Sequence, residues 1–422
     1  MEDAAPHRIG QPSPLILHLG AALLAYNHAL LAAPRADSPS FPWGEDLGVD
    51  PAALADLDQV EVAREVAARL HATVAGLEIW QRHPYRRALE DPPAVWQDGC
   101  SRLIDYGRAP EAVDPLGPPV LVVPSLINRP YILDLAPGRS MLRWLAGQGL
   151  RPLLMEWGSP GPAEAGFDLA AYGAQRLMPA LETAVALAGG PVPVVGYCMG
   201  GTLTVGLAAR SPHAVSALVT IGAPWDFAST LGIAGGYRAV IRAQGVRRTE
   251  ALLDAQGGAF GMVPVSLFQF LFALINPIQA ALKFQKLARL DPDGPAARLF
   301  VALEDWLADG VPMPVGAAKE LLLGWQIGNA PATGRWRFLG ETVDPARVRA
   351  PALLFCGASD SIAPPPLALP LARALPRVET VIARTGHVGM IVGSAARAEV
   401  WRPLAAFLGA RKTGGSAAEH VR

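Results

Sequence analysis

Short apolar runs that recur beyond residue 92 constrain the fold of this 422-residue chain more than any other feature. The runs are rich in valine and leucine, and stretches with helical spacing separate most of them. They lie at residues 120–123, 152–155, 192–195, 217–221, 352–355 and 379–382. Uninterrupted apolar runs of this length are typical of strands buried on both faces, and their alternation with helices favours parallel pairing. The sequence therefore predicts an α/β fold, with a mostly parallel sheet covered by helices.

The composition excludes several classes of protein. Hydrophobic residues make up 51% of the chain and charged residues 17%, which is typical of a compact body and not of a disordered protein. The 36 basic residues nearly balance the 37 acidic residues, so no net charge attracts a polyanion. We therefore expect no nucleic-acid partner.

The cysteines and histidines do not have the spacing of metal ligands. Three cysteines lie far apart in the sequence, and the eight histidines do not cluster. No glycine-rich loop with a lysine is present to hold a nucleotide phosphate. We expect no metal, no cofactor and no disulfide framework. We also expect a cytoplasmic setting, in which Cys100 and Cys356 are structural.

Residues 1–90 have helical patterns without catalytic spacing, and we predict a helical N-terminal extension. Residues 14–31 are apolar, but His18, Asn27 and His28 interrupt the run, which argues against an export signal and against a transmembrane segment. The expectation is an amphipathic helix that packs on the body or rests on an apolar surface.

The alternation of strands and helices stops at about residues 223–345, where a mostly helical, aromatic-rich segment takes over. We predict a cap inserted in a catalytic domain of residues 91–410, because long insertions at the carboxyl ends of strands control substrate access in α/β sheets. The alternative is that these aromatic side chains form the core of a second helical layer. The tail, residues 411–422, is predicted to be disordered.

A turn rich in glycine follows the third apolar run. Residues 196–201 read Gly-Tyr-Cys-Met-Gly-Gly and lead into a helical pattern. A nucleophile on such a strained turn between strand and helix needs small neighbours, and Gly196 and Gly200 meet that need. Backbone N–H groups at the start of the helix favour a thiolate on Cys198, and the N–H of Met199 is one predicted oxyanion donor. The competing interpretation is a cysteine that only packs in the core.

Two further residues follow apolar runs in the same way. Asp360 comes after the run at residues 352–355, and His387 comes after the run at 379–382. Nucleophile, acid and histidine is the chain order of α/β-hydrolases, so we predict that fold with a triad of Cys198, His387 and Asp360. His387 moves the proton and Asp360 orients the imidazole. The competing interpretation is that Asp360 is a surface residue in a turn and that His387 only caps a loop.

The second oxyanion donor is expected from the loop after the first apolar run, where Leu126 and Ile127 are the candidates. A thiolate exchanges acyl groups readily with other thiols, because attacking and leaving groups have similar pKa values. The triad therefore favours acyl-CoA as the class of substrate.

Several blocks of the sequence resemble the polyhydroxyalkanoate synthases, in particular the short ones that work with a second subunit. The blocks are residues 122–135, Trp157, the turn at 196–202, residues 275–277 and 284–286, Asp360, and Gly386 with His387. The resemblance implies a hydroxyacyl-CoA substrate, acyl transfer to Cys198, release of CoA and growth of a polyester chain. It also implies that Asp360 helps to activate the substrate hydroxyl. It suggests three partners: a polyester granule, further copies of the same chain in a homo-oligomer, or a second synthase subunit.

One departure from that family keeps the last step open. The synthases usually have histidine after the catalytic aspartate, whereas this chain has Ser361. A hydrolase with water as acceptor, either a thioesterase or an intracellular polyhydroxyalkanoate depolymerase, is therefore the alternative function. A third hypothesis is a granule-associated structural protein that docks through the helix near residues 15–31. The expected location is the cytoplasm, free or on polyester granules.

Overall fold

The computed structural model describes residues 15–32, 58–275 and 278–409. An eight-stranded sheet forms its centre, and its strands are β1 (Ala94–Asp98), β2 (Ser101–Asp105), β3 (Pro119–Val123), β4 (Arg151–Glu156), β5 (Val192–Tyr197), β6 (Val215–Ile221), β7 (Ala352–Gly357) and β8 (Val378–Ala383). Their order across the sheet is β1-β2-β4-β3-β5-β6-β7-β8. Strands β3 to β8 are parallel to one another. The hairpin of β1 and β2 joins them antiparallel through β4.

The six predicted runs all lie within strands, which confirms the mostly parallel α/β fold. Every residue of β3 and β7 is buried, as expected for strands covered on both faces. The edge strand β1 was not predicted, because its residues are exposed or half-buried and include Gln97 and Asp98. Two short hairpins, at residues 134–140 and 337–342, were not predicted either.

The helices account for most of the remaining described residues. They are α1 (Leu15–Ala32), α2 (Gln59–Arg82), α3 (Met141–Ala146), α4 (Leu169–Tyr172), α5 (Met178–Ala188), α6 (Met199–Arg210), α7 (Gly232–Gln244), α8 (Val246–Phe260), α9 (Val265–Ile275), α10 (Gln279–Leu287), α11 (Pro295–Ala308), α12 (Val315–Lys319), α13 (Pro365–Ala368), α14 (Pro370–Ala374), α15 (Gly389–Val392) and α16 (Arg402–Gly409). There are also three π-helical segments among the described residues. Gly173–Leu177 continues α4, Glu320–Trp325 continues α12, and Arg397–Trp401 leads into α16. The segment between β6 and β7 is mostly helical, as predicted.

The chain divides into two compact units. One comprises residues 1–86 and 269–308, and the other comprises residues 87–268 and 309–422. The predicted cap is thus shared between the units, and its role as a cap stays a prediction. The predicted tail, 411–422, lies outside the described residues.

The first unit has an aromatic core. Trp80 on α2 is fully buried, and its ring centroid lies 5.7 Å from that of Phe284 on α10. Val301 on α11 completes the same cluster. The N-terminal helices therefore share a core with part of the segment between β6 and β7.

Helix α1 corresponds to the apolar stretch at residues 14–31. Ala22 and Tyr26 are buried, whereas Ile16 and Leu31 are exposed. Among the described helices, none combines the length and the apolar character needed to cross a membrane.

Candidate active site

Cys198 occupies an unusual backbone conformation between β5 and α6. Its φ is 54° and its ψ is −129°, a region that residues with a side chain rarely adopt. The N–H of Cys198 donates to the Ile221 carbonyl at 2.9 Å, and its own carbonyl accepts from the N–H of Gly201 at 2.8 Å. The sheet on one side and the helix on the other thus hold the strained residue in place.

The two predicted glycines are required by close backbone contacts. A Cβ on Gly196 would collide with the Cα of Gly201, and a Cβ on Gly200 would collide with the Val123 carbonyl oxygen at the end of β3. Any side chain at either position would push the turn out of its conformation. These contacts explain why glycines flank Cys198 at a spacing of two.

Backbone donors near the thiol come from two elements. Met199 begins α6, so its N–H is among the four that have no acceptor within the helix. Leu126 and Ile127 are buried in the loop after β3, and the N–H of Ile127 donates to Ser125 Oγ at 3.3 Å. Leu126 or Ile127 stays a predicted second donor, and Ile127 would first have to give up its bond to Ser125.

Asp360 and His387 form a buried pair. His387 Nδ1 lies 2.7 Å from Asp360 Oδ2, and both side chains are less than a tenth exposed. The other carboxylate oxygen, Oδ1, accepts the N–H groups of Ile362 and Ala363, each at 2.8 Å. Because the carboxylate is satisfied on both oxygens, it fixes the imidazole with Nε2 left for another partner.

The electrostatic setting favours a charged imidazole. Burial lowers the pKa of His387, but the negative charges of Cys198 and Asp360 and hydrogen bonds to both raise this pKa to about 10. Burial raises the pKa of Asp360, and His387 together with the two backbone amides brings it below its ordinary value. The arrangement can therefore hold an imidazolium between a thiolate and a carboxylate, the charge state of an activated cysteine. The structure brings the predicted Asp360 and His387 together, and the part of Cys198 as their nucleophile stays a prediction.

The other two thiols lie in different surroundings. Burial, with a smaller effect of Asp360, raises the pKa of Cys356 to about 11. Cys100 Sγ donates to the carbonyl of Trp157 at 3.2 Å, and burial raises the pKa of Cys100. Both thiols therefore stay protonated at neutral pH. In the described ranges, no cluster of three or more histidine, cysteine or acidic residues could hold a metal.

Three residues near the triad were not predicted. Gly222 follows β6 with a φ of 58°, and a Cβ there would lie 3.0 Å from His387 Nδ1. The ring centroids of Tyr197 and His387 are 5.2 Å apart. Tyr237 on α7 is buried, and burial followed by the charge of Cys198 raises its pKa well above the ordinary value. A glycine directly after a predicted strand was the available signal for Gly222, whereas nothing in the sequence pointed to Tyr237.

Ser361 lies in the turn that follows Asp360, and its side chain is exposed. The next residue, Ile362, accepts a hydrogen bond at 3.1 Å from the N–H of Ile233, close to the start of α7. This turn therefore connects the buried pair with the first helix of the segment between β6 and β7.

Two families match the sequence. Residues 88–145 match the family described as the N-terminus of poly-beta-hydroxybutyrate polymerase (PhaC). Residues 185–394, which include Cys198, Asp360 and His387, match the alpha/beta hydrolase fold. The first match includes strands β1 to β3, the second includes strands β5 to β8, and β4 lies between the two matches.

Individual relatives carry the name of a polymerase subunit. Poly(3-hydroxyalkanoate) polymerase subunit PhaC of Haloferax mediterranei is 28% identical over 326 residues, which cover 76% of this chain and 64% of that protein. The protein of the same name from Synechocystis sp. is 28% identical over 330 residues, which cover 76% of this chain and 84% of that protein. The chain thus matches less than two thirds of the Haloferax protein's length.

Among solved structures, an alpha/beta hydrolase fold protein from Nakamurella multipartita is similar, with a TM-score of 0.44 and 21% identity. The similarity covers 74% of this chain and 96% of that one. The chain has the alpha/beta hydrolase fold, and over 76% of its length its sequence is similar to poly(3-hydroxyalkanoate) polymerase subunits.

Proposed function

We propose that this protein is an acyltransferase that moves hydroxyacyl groups from CoA thioesters to Cys198 and then to a growing polyester chain. The observation that carries the proposal is the buried His387, which is held at 2.7 Å by Asp360 and whose pKa is raised, against the effect of burial, by the negative charges of Cys198 and Asp360. The similarity to polymerase subunits supports hydroxyacyl-CoA as the substrate.

In the first step, the Cys198 thiolate attacks the thioester carbonyl. The bond from Sγ to the acyl carbon forms, and the bond from that carbon to the CoA sulfur breaks. The imidazolium of His387 gives its proton to the departing CoA thiolate. The N–H of Met199, with Leu126 or Ile127, stabilises the oxyanion between these events.

In the second step, the hydroxyl group of a chain end attacks the acyl group on Cys198. Neutral His387 takes the hydroxyl proton, the new ester bond forms, and the Cys198 thiolate leaves. The family resemblance assigns Asp360 a part in activating this hydroxyl. The carboxylate already accepts three hydrogen bonds, which favours an action through His387.

A second candidate function is hydrolysis, with water in place of the hydroxyl. Ser361 stands where the related synthases usually have histidine, and its side chain is exposed. If that histidine assists attack by the substrate hydroxyl in the synthases, its replacement by Ser361 favours water as the acceptor. Thioesterase and polyester depolymerase activities belong to this alternative.

Partners and location are part of the proposal. The exposed apolar side chains of α1, Ile16 and Leu31 among them, suit contact with a polyester granule or with a second synthase subunit. The third candidate for contact with α1 is a second copy of this chain. A cytoplasmic location, on granules or away from them, stays a prediction.

The test is incubation of the purified protein with 3-hydroxybutyryl-CoA, with and without added short polyester primer. Release of the CoA thiol is followed together with the acyl product. Insoluble polyester supports the acyltransferase, and stoichiometric free 3-hydroxybutyrate supports the hydrolase. If Cys198→Ala releases CoA as fast as the unaltered protein, both functions are wrong.

A further inference from the structure

The corner between α7 and α8 has an excess of positive charge. Residues 232–249 contain four arginines and neither aspartate nor glutamate. Gly245, with a φ of 90°, separates the two helices, so their arginines follow one another within a short stretch of chain. Such a density of one charge in a nearly neutral protein suggests a binding surface.

The neighbouring acidic residues do not neutralise this corner. Glu250 and Asp254 on α8 both bind Lys319, at 3.3 and 2.8 Å. Arg238 is engaged with backbone carbonyls, including that of Ala228 at 2.9 Å. The three arginines that remain are exposed, and within the described ranges they form no ion pair. They are Arg242, Arg247 and Arg248.

Helix α7 connects this corner to the candidate active site. The N–H of Ile233 donates to the Ile362 carbonyl at 3.1 Å, two residues beyond Asp360. A Cβ on Gly232 would collide with the ring of Pro364 in the same turn. One end of α7 therefore lies on the turn of Asp360, and the other end carries Arg242. Nine residues at the helical rise separate Ile233 from Arg242 by about 14 Å.

This distance suits a thioester of CoA. Its phosphate groups are separated from its sulfur by the pantetheine arm, which has the length of about four extended residues, or roughly 14 Å. Guanidinium groups bind phosphate through two parallel hydrogen bonds and keep their charge at every physiological pH. Tyr237, in the middle of α7, is close enough to Cys198 for the charge of the thiol to act on it, so a thioester bound at Cys198 has the reach to place its phosphates at the corner between α7 and α8.

We propose that Arg242, Arg247 and Arg248 bind the phosphate groups of the CoA thioester. This inference rests on the proposed function, since it takes the acyl-CoA from there. It assigns the three arginines to binding of the substrate and gives them no part in bond making or breaking.

The test compares two thioesters of 3-hydroxybutyrate, one with CoA and one with N-acetylcysteamine, which has no phosphate. In the triple variant Arg242→Ser, Arg247→Ser, Arg248→Ser, we expect KM for the CoA thioester to rise about tenfold or more, as for lost bonds to charged groups. Its kcat should change little, and the kinetics with the N-acetylcysteamine thioester should not change. With the unaltered protein, KM for the CoA thioester should rise with salt.

Two controls separate charge from folding. Arg373→Ser removes an exposed arginine from α14 and should leave both thioesters unaffected. The triple lysine variant keeps the charge at the corner and should retain most of the affinity. An equal loss of activity with both thioesters, or an equal effect of Arg373→Ser, would contradict the assignment.

Direct binding of CoA, measured by calorimetry, separates this inference from the proposed function. If the unaltered protein turns over the CoA thioester and the triple serine variant has the same KM, the inference fails while the function stands. If CoA binds to the unaltered protein and not to the variant, but neither thioester reacts, the function fails while the inference stands. If CoA does not bind to the unaltered protein, the inference is wrong.

Discussion

At the scale of single residues, the site depends on how residues far apart in the sequence hold His387. Asp360 fixes one ring nitrogen, Tyr197 lies beside the ring, and Gly222 leaves room for it. Asp360 and His387 could be predicted because each follows an apolar run. The contacts of Tyr197 and Gly222 could not, because they depend on the packing of neighbouring strands against a distant loop.

Tyr197 allows a matched pair of substitutions. Its ring lies beside His387, while its buried hydroxyl has no hydrogen-bond partner among the described residues. Tyr197→Phe should leave kcat unchanged and the free energy of unfolding equal or higher, because the hydroxyl contributes no bond. Tyr197→Leu should lower kcat about tenfold, a barrier change of about 1.4 kcal/mol, and alter the pH dependence of kcat. Steady-state kinetics across pH check both, and equal losses in the two variants would assign the effect to the hydroxyl.

The pKa of His387 gives a second prediction. Its folded-state pKa of about 10 lies above its ordinary value of 6.5, so the protonated ring stabilises the fold. That contribution is fully present below pH 6.5 and is lost as the pH rises through 10. The contribution of Asp360, whose pKa is lowered, is instead lost as the pH falls through acid values.

We therefore expect the unaltered protein to exceed His387→Gln in free energy of unfolding most strongly near pH 6. The difference should shrink towards pH 10, and denaturant titrations at several pH values measure it. When Cys198 is also replaced by alanine, this stability difference should decline less between pH 6 and pH 10, since the charge of Cys198 contributes to the raised pKa of His387. A difference that grows between pH 6 and pH 10 would contradict the charged pair.

At the scale of elements, six of the eight strands of the sheet followed from the sequence. Five of them are mostly buried, whereas β8 at the sheet edge is mostly exposed or half-buried. The six apolar runs all became strands of the sheet. The hairpin of β1 and β2 escaped prediction because its residues mix polar and apolar types at a sheet edge. The π-helical segments escaped as well, since a single π-helical turn is too short to set a recognisable period of its own.

One π-helical segment contains a half-buried acid, Glu320. Glu320 accepts the N–H of Leu169 at 3.1 Å and Trp336 Nε1–H at 3.0 Å. Burial, with a smaller effect of Asp168, raises the pKa of Glu320 to about 7. The folded state therefore holds this proton more tightly than the unfolded state does, and stability falls as the pH rises from about 4.5 through 7.

We predict that Glu320→Gln abolishes this part of the pH dependence. The free energy of unfolding of the unaltered protein, relative to that of the variant, should be larger at pH 5 than at pH 8, because only the unaltered protein must ionise a half-buried carboxyl. Urea unfolding at both pH values tests this. If the difference in free energy of unfolding between the two proteins is the same at pH 5 and pH 8, the pKa of Glu320 is not raised in the fold.

At the scale of the whole molecule, the chain builds its first unit from segments far apart in sequence. Residues 1–86 and 269–308 form one compact unit, with Trp80 and Phe284 in its core. The apolar spacing predicted the helix α2, but a partner some two hundred residues away leaves no local signal. The sequence alone therefore predicted an extension and a cap where the structure has a shared core.

The shared core gives a prediction for stability. Phe284→Ala removes a ring that is 2% exposed and should lower the free energy of unfolding by about 3–5 kcal/mol. Leu282→Ala on the same helix removes a side chain that is 50% exposed and should cost less than about 1 kcal/mol. Denaturant unfolding followed by tryptophan fluorescence compares them. Similar losses in both variants would mean that Phe284 does not hold this unit together.

The central claim is that Cys198 carries the acyl group. The most direct measurement is mass spectrometry of the protein quenched shortly after mixing with 3-hydroxybutyryl-CoA, followed by peptide mapping. We predict a hydroxyacyl adduct on the peptide that contains Cys198, absent in Cys198→Ala and formed much more slowly in His387→Gln. Release of CoA without any adduct on Cys198, or an adduct on Cys100 or Cys356 instead, would contradict the account.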